Sequence, residues 1–564
     1  ERSVFSVPDL VLIVCSLAVA AYFLVVYNTS MRMSTGTSFA PVGISFAAIA
    51  GTALIMELTR RVAGMALVII GLVFLAYVFA GPYLPGFLGY PGLSVQRFFS
   101  QVYTDAGILG PTTAVSSTYI ILFIIFAAFL QSSKVGDYFV NFAFAAAGRS
   151  RGGPAKVSIF ASGLMGMING TSAGNVVSTG SLTIPLMKKV GYSKQSAGAV
   201  EAAASTGGQI MPPIMGAGAF IMAEITGIPY TEIAIAAIIP AILYFASVYF
   251  MVDFEAAKTG MRGMREDELP KLKTMMKQCY LFVPIIILIV ALFMGYSVIR
   301  AGTLATVSAA VVSWLSPNKM GLKQILQALE IASYMAIQII VVCAAAGVIV
   351  GVISLTGVGA RFSVLLLDVA ATSQLLALIF AMFISILLGM GMPTTAAYAV
   401  AASVVAPGLV QLGIEPLTAH FFVFYFAVVS AITPPVALAS YAAAGISGAN
   451  AMETSVASFR IGIAAFIVPF MFFYNGALLM EAGWFEIARA LVTATFGVYM
   501  LSGGVLGWFA RVSASWVTRV LLIAAALLMI EGGLWTDLTG IALAVLAFVI
   551  QKQRKDRLAT AGAL

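Results

Sequence analysis

An apolar segment broken in its middle by glycines, prolines and hydroxyl residues occurs twice in this chain of 564 residues, 222 positions apart. The first copy spans Asn169 to Gly218, NGTSAGNVVSTGSLTIPLMKKVGYSKQSAGAVEAAASTGGQIMPPIMGAG. Pro185 answers to Pro407, Gly191 to Gly413, and Pro212-Pro213 to Pro434-Pro435. Ser181/Ser403, Ala197/Ala419 and Ile210/Ile432 keep the same offset without a gap. Upstream, Val135-Gly136 answers to Val358-Gly359, one residue out of that register. Chance spacing of prolines in a Gly/Ala-rich chain would not hold one register over so many positions. In a membrane protein, a pair of interrupted apolar segments at corresponding places in two halves points to a midplane binding site.

The membrane is implied by composition. Hydrophobic residues make up 61% and charged residues 9%, against about 25% charged in ordinary soluble domains. Spans of about 20 apolar residues recur from end to end, each long enough to cross about 30 Å of lipid hydrocarbon. The fold expected is all-α and polytopic. The surplus of +8 charges is scattered through loops rather than massed on one domain, so no nucleic-acid partner is expected. Cys15, Cys279 and Cys343 are far apart and imply neither a disulfide framework nor a metal site. The first span is too long for a signal peptide and lacks the small-residue cleavage site.

Spans are expected near 8–27, 40–56, 62–80 and 115–131, with a Pro/Gly-rich loop at 81–114. A re-entrant hairpin follows at 154–190, each arm too short to cross alone, and then the interrupted helix 196–224. Span 231–251, the charged loop 253–277 and spans 278–296, 299–315 and 324–356 lead to a second hairpin, 373–410. The interrupted helix 417–445 and spans 460–480, 488–509, 517–534 and 536–550 close the chain before the basic tail QKQRKDR. With a cytoplasmic N-terminus, one side holds Arg2, Arg60, Arg61, Lys134 to Lys156, Lys188 to Lys194, the 253–277 loop, Lys319, Lys323, Arg460, Arg511, Arg519 and the tail. Only Arg32, Arg97, Arg300, Arg361 and Arg489 fall outside, the expected positive-inside bias. Both termini are then cytoplasmic. An odd number of spans separates the hairpins, so they enter from opposite faces and the repeat is inverted.

Inside hydrocarbon a broken helix persists only where protein, ion or substrate satisfies its backbone. In STGGQIMPP the prolines remove amide donors and free upstream carbonyls, and the glycines let the chain leave helical angles. Freed carbonyls around Gly207, Ile210 and Pro212, with the hydroxyls of Ser172 and Thr206, form a hard oxygen cluster suited to Na⁺. The mirror cluster is Gly391, Thr394, Ser430 and Thr433. Neither tip holds a carboxylate, which argues against a divalent ion. Helix N-termini near Asn175 and Ala396 would offer amides to an anion, and Asn169, Asn175, Gln209 and Thr395 are the candidate substrate contacts. Gln209 could hold substrate or backbone. Glu201 is either a functional intramembrane acid or a paired or interfacial one. His420, the only histidine, is expected at the periplasmic edge. A single histidine excludes multi-histidine metal chemistry, and no phosphate-binding loop is present, so no enzyme is expected.

GGPAKVSIFASGLMGMINGTSAGNVVSTGSLTIPLMKKVGYS and AVEAAASTGGQIMPPIMGAGAFIMAE resemble the first half of the large membrane subunit of tripartite ATP-independent periplasmic (TRAP) transporters. GMGMPTTAAYAVAASVVAPGLVQLGIEPLTAHFF and SAITPPVALASYAAAGI resemble its second half. EAAASTGGQIMPP is similar to the TAXI branch, in which small and large subunits are fused. The resemblance implies a Na⁺-driven secondary transporter with an elevator motion, importing an organic anion such as a dicarboxylate delivered by a periplasmic binding protein, from the bacterial inner membrane. It divides the chain into a small-subunit-like region and loop (1–114), a transporter core (115–475) with moving elements 154–224 and 373–445, and further spans with a basic tail (476–564). An inverted-repeat carrier taking free substrate without a binding protein is the alternative.

Overall fold

The computed structural model describes residues 6–27, 33, 35, 41–166 and 169–560. Arg2 and Arg32 of the charge pattern, and residues 167–168 of the first hairpin tip, lie outside these. Among the described residues, ten helices are long and apolar enough to cross a membrane. The one sheet is a two-residue ribbon pairing Trp508 with Ser513 and Phe509 with Val512. The chain is an all-α polytopic membrane protein.

The 222-residue register reappears in the helix ends. Ser172–Lys189, carrying Pro185, corresponds to Thr394–Gln411, carrying Pro407, each 18 residues long. Lys194–Gly207 corresponds to Pro416–Val429, and the 3₁₀ turns that break these helices, Gly208–Ile210 and Ser430–Ile432, correspond in turn. After the breaks the helices resume as Gly218–Thr226 and Leu438–Ser447. The first arms of the two hairpins are Gly153–Gly166 and Gln374–Gly389. The second arms are longer than expected, at about 27 Å, and Thr394–Gln411 qualifies as a candidate span by length. They remain hairpin arms because each tip meets a helix at its break: an added Cβ on Gly166 would lie 2.7 Å from the Cα of Gly208, and one on Gly389 would lie 2.7 Å from the Ser430 hydroxyl.

Side-chain contacts fix the relative direction of the repeats. Near the base of the first hairpin, Lys188 Nζ donates to the Ser447 carbonyl at 3.0 Å and Gln195 Nε2 to Glu453 at 2.8 Å. Ser447 is the far end of the second broken helix, whose near end, Pro416, adjoins the base of the second hairpin at Gln411. The two hairpin bases therefore lie at opposite ends of that helix, which is the inverted arrangement. The first base also gathers charge: Arg151 and Lys156 reach Asp253, both at 2.7 Å, Lys189 reaches Glu268 at 2.7 Å, and Arg149 pairs with Glu266. Lys189 holds the Glu268 carboxyl below the usual carboxylate range.

Both broken helices are packed on all sides: every residue from Leu417 to Val429, and from Ala197 to Gly207, is buried. Leu24, Phe46, Leu315 and Phe485 point outward and fully exposed, as lipid-facing side chains do. Trp484, Trp516 and Trp535 stand at the starts of the last three helices, where an aromatic belt belongs. Leu322–Thr356 is 35 residues long, about 52 Å, and can fit a bilayer only when tilted.

Three expectations change. Residues 81–114 form a packed cap rather than a free loop: Phe98 and Val102 are fully buried, and Arg361 Nε donates to the Phe87 carbonyl at 2.7 Å. The span expected at 278–296 runs only from Cys279 to Phe293: a 3₁₀ turn, Cys279–Phe282, leads into the α-helix Val283–Phe293 with Pro284 in its first turn, and the whole is bent by 76° from the segment Glu266–Lys277. The basic tail continues the last helix, Leu534–Thr560, because its Lys, Arg and Gln residues are good helix formers.

Candidate functional site

A cavity of about 490 Å³ lies where the two hairpin tips face the long helix Leu322–Thr356. Asn169 to Gly174 and Ser178 line it from the first hairpin, Met392 to Thr395 from the second, and Ile331, Met335, Gln338, Ile339 and Val342 from the long helix. Val62, Ala63, Gln131, Ala431 and Leu438 complete the wall. None of these residues carries a charge.

Each second arm begins at the cavity. Thr171 caps the first, its hydroxyl accepting the Gly174 amide at 3.1 Å; the second begins after Pro393, with no side-chain cap. The arms start at Ser172 and Thr394, slightly earlier than the Asn175 and Ala396 expected from sequence, because Thr171 and Pro393 satisfy the geometry of a helix start. Two helix N-termini converging on one space, with orphan amides and the positive ends of their dipoles, make it suited to an anion.

The predicted residues divide into those that line the cavity and those behind it. Asn169, Ser172, Thr394 and Thr395 line it. Asn175 lies behind: its Nδ2 donates to the Ser162 carbonyl at 2.8 Å and its Oδ1 accepts from Asn169 Nδ2 at 3.0 Å. Gln209 settles between the two options left by sequence, since its Nε2 donates to the carbonyls of Gly166 and Asn169 at 3.1 and 2.9 Å, tying the break to the hairpin tip. Gly207, Ile210 and Ser430 are buried in or beside the breaks, and Gly391 takes φ +74 at the second tip, a conformation that favours glycine. Pro212 stands just beyond the first break. Beyond the breaks, Tyr230 Oη donates to the carbonyls of Pro213 and Ile214, and Tyr441 Oη to that of Pro435, so these downstream carbonyls are satisfied within the protein.

What remains near the first break is a set of orphaned oxygens. Ser172 Oγ, Thr206 Oγ1 and Gln209 Oε1 are buried without a hydrogen-bond partner, a costly state in an apolar interior. A hard monovalent cation is the group that such neutral oxygens fit. At the second break, Ser430 and Thr433 donate to the carbonyls of Ala427 and Val429 at 2.6 and 2.7 Å, which leaves their oxygen lone pairs free to accept.

His420 stands in the first turns of its helix but is shielded by its neighbours. It is buried at 8% exposure, and its Nδ1 lies 2.8 Å from Tyr398 Oη; the helix that carries it is packed on all sides, so position near a helix start does not mean access to water. Gln131 and Gln338 were missed in the sequence reading, although an amide in an otherwise apolar span is itself a functional signal.

Comparisons with known proteins follow the same lines. The family model described as "Tripartite ATP-independent periplasmic transporter, DctM component" matches residues 50–487. The chain is 23% identical over 409 residues to the C4-dicarboxylate TRAP transporter large permease protein DctM of Rhodobacter capsulatus, covering 70% of this chain and 92% of that one. It is 22% identical over 340 residues to the isethionate TRAP transporter permease protein DctMQ of Oleidesulfovibrio alaskensis, covering 59% of this chain and 52% of that one. A shorter stretch of 91 residues is 37% identical to the large permease protein DctM of Vibrio cholerae, 16% of this chain and 20% of its relative.

Proposed function

Because the chain belongs to the DctM component family of TRAP transporters, we propose that it is a Na⁺-coupled symporter. On this reading it imports an organic acid, a dicarboxylate by class, delivered by a periplasmic substrate-binding protein. The observation that carries the proposal is the uncharged cavity between the two hairpin tips, backed by orphaned oxygens at the adjacent break.

Ser172, Thr206 and Gln209, with backbone carbonyls around Gly207, Ile210 and Pro212, would hold one Na⁺; Gly391, Thr394, Ser430 and Thr433 would hold a second. When bound, the ions supply the positive charge that the cavity walls lack. The N-terminal amides at Ser172 and Thr394 orient the carboxylates, with Asn169 and Thr395 beside them. Gln338 and Gln131 offer donors from the opposite wall. About 490 Å³ is ample for a small organic anion, and the relatives named for C4-dicarboxylate and isethionate both concern such anions.

One wall of the cavity belongs to the hairpins and their broken helices, the other to the long tilted helix. That division supports an elevator, in which the inverted hairpin pairs move as one body against a scaffold. The charge bias supports cytoplasmic termini in a bacterial inner membrane, and EAAASTGGQIMPP supports the TAXI branch with fused subunits. The arithmetic of the protein's own amides supports a binding protein. Helix-end amides favour an anion by about 0.3–1 kcal/mol, up to about 2 when partly buried, whereas micromolar affinity needs about 8 kcal/mol. Presentation at high local concentration closes that gap.

Equilibrium binding of radiolabelled Na⁺ to the purified protein tests the ion assignment. Saturable binding should weaken in Thr206→Ala and Thr433→Ala; unchanged binding isotherms in both would remove these hydroxyls from the sites.

A further inference from the structure

Glu201 is completely buried in the first broken helix and is surrounded by hydroxyls. Its Oε1 accepts from Ser162 at 2.6 Å, Thr179 at 2.5 Å and Ser205 at 2.9 Å, and its Oε2 from Ser158 at 2.6 Å and Thr183 at 2.5 Å. These donors come from both arms of the first hairpin and from the broken helix itself. We propose that this hydroxyl cage is a proton-binding site: Glu201 takes up and releases one proton, in addition to whatever ions the hairpin tips hold.

Three observations point there. The first is the absence of a fixed counter-charge. Among the described residues, no Lys, Arg or His bonds to Glu201. On the first arm, Lys156 is committed to Asp253 at 2.7 Å, together with Arg151. On the second arm, Lys188 reaches Ser447 and Lys189 reaches Glu268. On the helix Ile238–Thr259, Tyr244 Oη donates to the Ala203 carbonyl and Glu255 accepts from Ser196. On the helix Ala451–Ile461, Glu453 accepts from Gln195, and Arg460 is exposed. On Leu438–Ser447 the one titratable group, Tyr441, is spent on Pro435. The five hydroxyls satisfy the carboxylate's oxygens but bring no positive charge, and a proton is a ligand that would neutralise it.

The second observation is that the cage can serve both charge states. Thr179 Oγ1 also lies 2.9 Å from the Asn175 carbonyl, and Thr183 Oγ1 lies 3.1 Å from the Thr179 carbonyl. Ser162 and Thr179 face each other at 2.8 Å with either able to donate. When a proton binds, these hydroxyls can turn to their alternative acceptors, and the new carboxyl O–H donates to an oxygen that has turned away. Heavy atoms need not move. The oxygens already sit within hydrogen-bond distance of the carboxylate, so the cluster leaves no separate space among them for a metal ion.

The third is an internal control. At the 222-residue offset, Thr179, Thr183, Glu201 and Ser205 become Ala401, Val405, Val423 and Ala427. The second half joins its hairpin to its broken helix with the same helix ends and apolar side chains at these four positions, its polar pair there being Tyr398 and His420. The same helix junction thus forms in the second half without an acid. Glu201 lies seven residues beyond the helix start at Lys194, about 10 Å from the end where the charged loop gathers. That the proton would travel with the hairpin during transport rests on the elevator reading; the binding site does not.

Infrared difference spectroscopy of the full chain in lipid vesicles, stepped between about pH 5 and about pH 9, reads the proton directly. Wild type should gain a protonated-carboxyl C=O band on the acid side that Glu201→Gln lacks. Glu201→Asp keeps the carboxyl and should shift the band rather than abolish it, which covers the case in which the glutamine variant does not fold. A carboxyl signal that is the same in wild type and Glu201→Gln, or a Glu201 band present and unchanged at both pH values, overturns the proposal. Thermal stabilisation of the same samples by NaCl over choline chloride reports on the tip sites. Its absence from wild type would sink the sodium reading alone.

Discussion

Gly208 and Gly166 bring two backbones together where the first hairpin tip meets the break, and replacing Gly208 by Ala tests whether that contact sets the ion site. A Cβ at 208 would stand 2.5 Å from the Gly166 Cα and 3.0 Å from the Ser162 carbonyl, with backbone rather than flexible side chain in the way. Ordinary contact begins at 3.4 Å, so hairpin and helix must part by about 0.9 Å, enough to forfeit a quarter to a half of the local packing attraction. Overpacking of this kind costs about 1–3 kcal/mol. Gly208 has helical angles, φ −58 and ψ −27, so the substitution also recovers up to about 1 kcal/mol of helix propensity. A net cost of about 1–2 kcal/mol falls on the contact between the first hairpin tip and the break, and, where all of it opposes ion binding, corresponds to a loss of up to roughly 5- to 30-fold at the proposed Na⁺ site. The assay is radiolabelled Na⁺ binding, with Gly445→Ala as comparator. Gly445 also lies within a helix, but its added Cβ meets nothing within 4 Å, so that variant should bind Na⁺ as wild type does. Equal Na⁺ affinity in Gly208→Ala and wild type would refute the idea that hairpin–break spacing positions the oxygens.

Two further outcomes follow from the packing. In a background lacking the exposed Cys15 and Cys279, cysteines at Lys189 and Gln411 should react with an impermeant reagent from opposite faces of the membrane; labelling of both from one face would remove the inversion. Tyr398→Phe should lower the thermal unfolding midpoint by leaving His420 Nδ1 buried and unpaired, at a cost of about 1–3 kcal/mol. Adding His420→Phe should return part of that loss, and no coupling between the two substitutions would show that the bond at 2.8 Å contributes nothing.

The parts of the molecule legible in the sequence are those punctuated by glycine and proline. Pro185/Pro407 and the Pro-Pro pairs set a register that the helix ends then follow from Ser172/Thr394 to Ile210/Ile432, because proline and glycine restrict the backbone locally, whatever surrounds them. What depends on assembly was hidden. The donors around Glu201 are spread from Ser158 to Ser205 over three helices, and nothing in their spacing announces one shell. The 81–114 segment reads as a loop because its turns are rich in Pro and Gly; its burial comes from contacts with distant helices, such as Gly107 against Gly347 and Gly351. The breaks were foreseeable from the prolines, but the tying of the carbonyls of Pro213 and Pro435 by Tyr230 and Tyr441 was not. The burial of His420 was hidden for a related reason: it is set by neighbours, not by distance from a helix end.

Uptake into proteoliposomes tests the central claim most directly. The purified chain, with an inward Na⁺ gradient and a panel of labelled C4-dicarboxylates, is assayed with and without its cognate binding protein. Accumulation should require both the binding protein and the Na⁺ gradient, and replacing Na⁺ by choline should abolish it. Saturable uptake of micromolar free substrate by the chain alone, or uptake that is indifferent to Na⁺, would contradict the account.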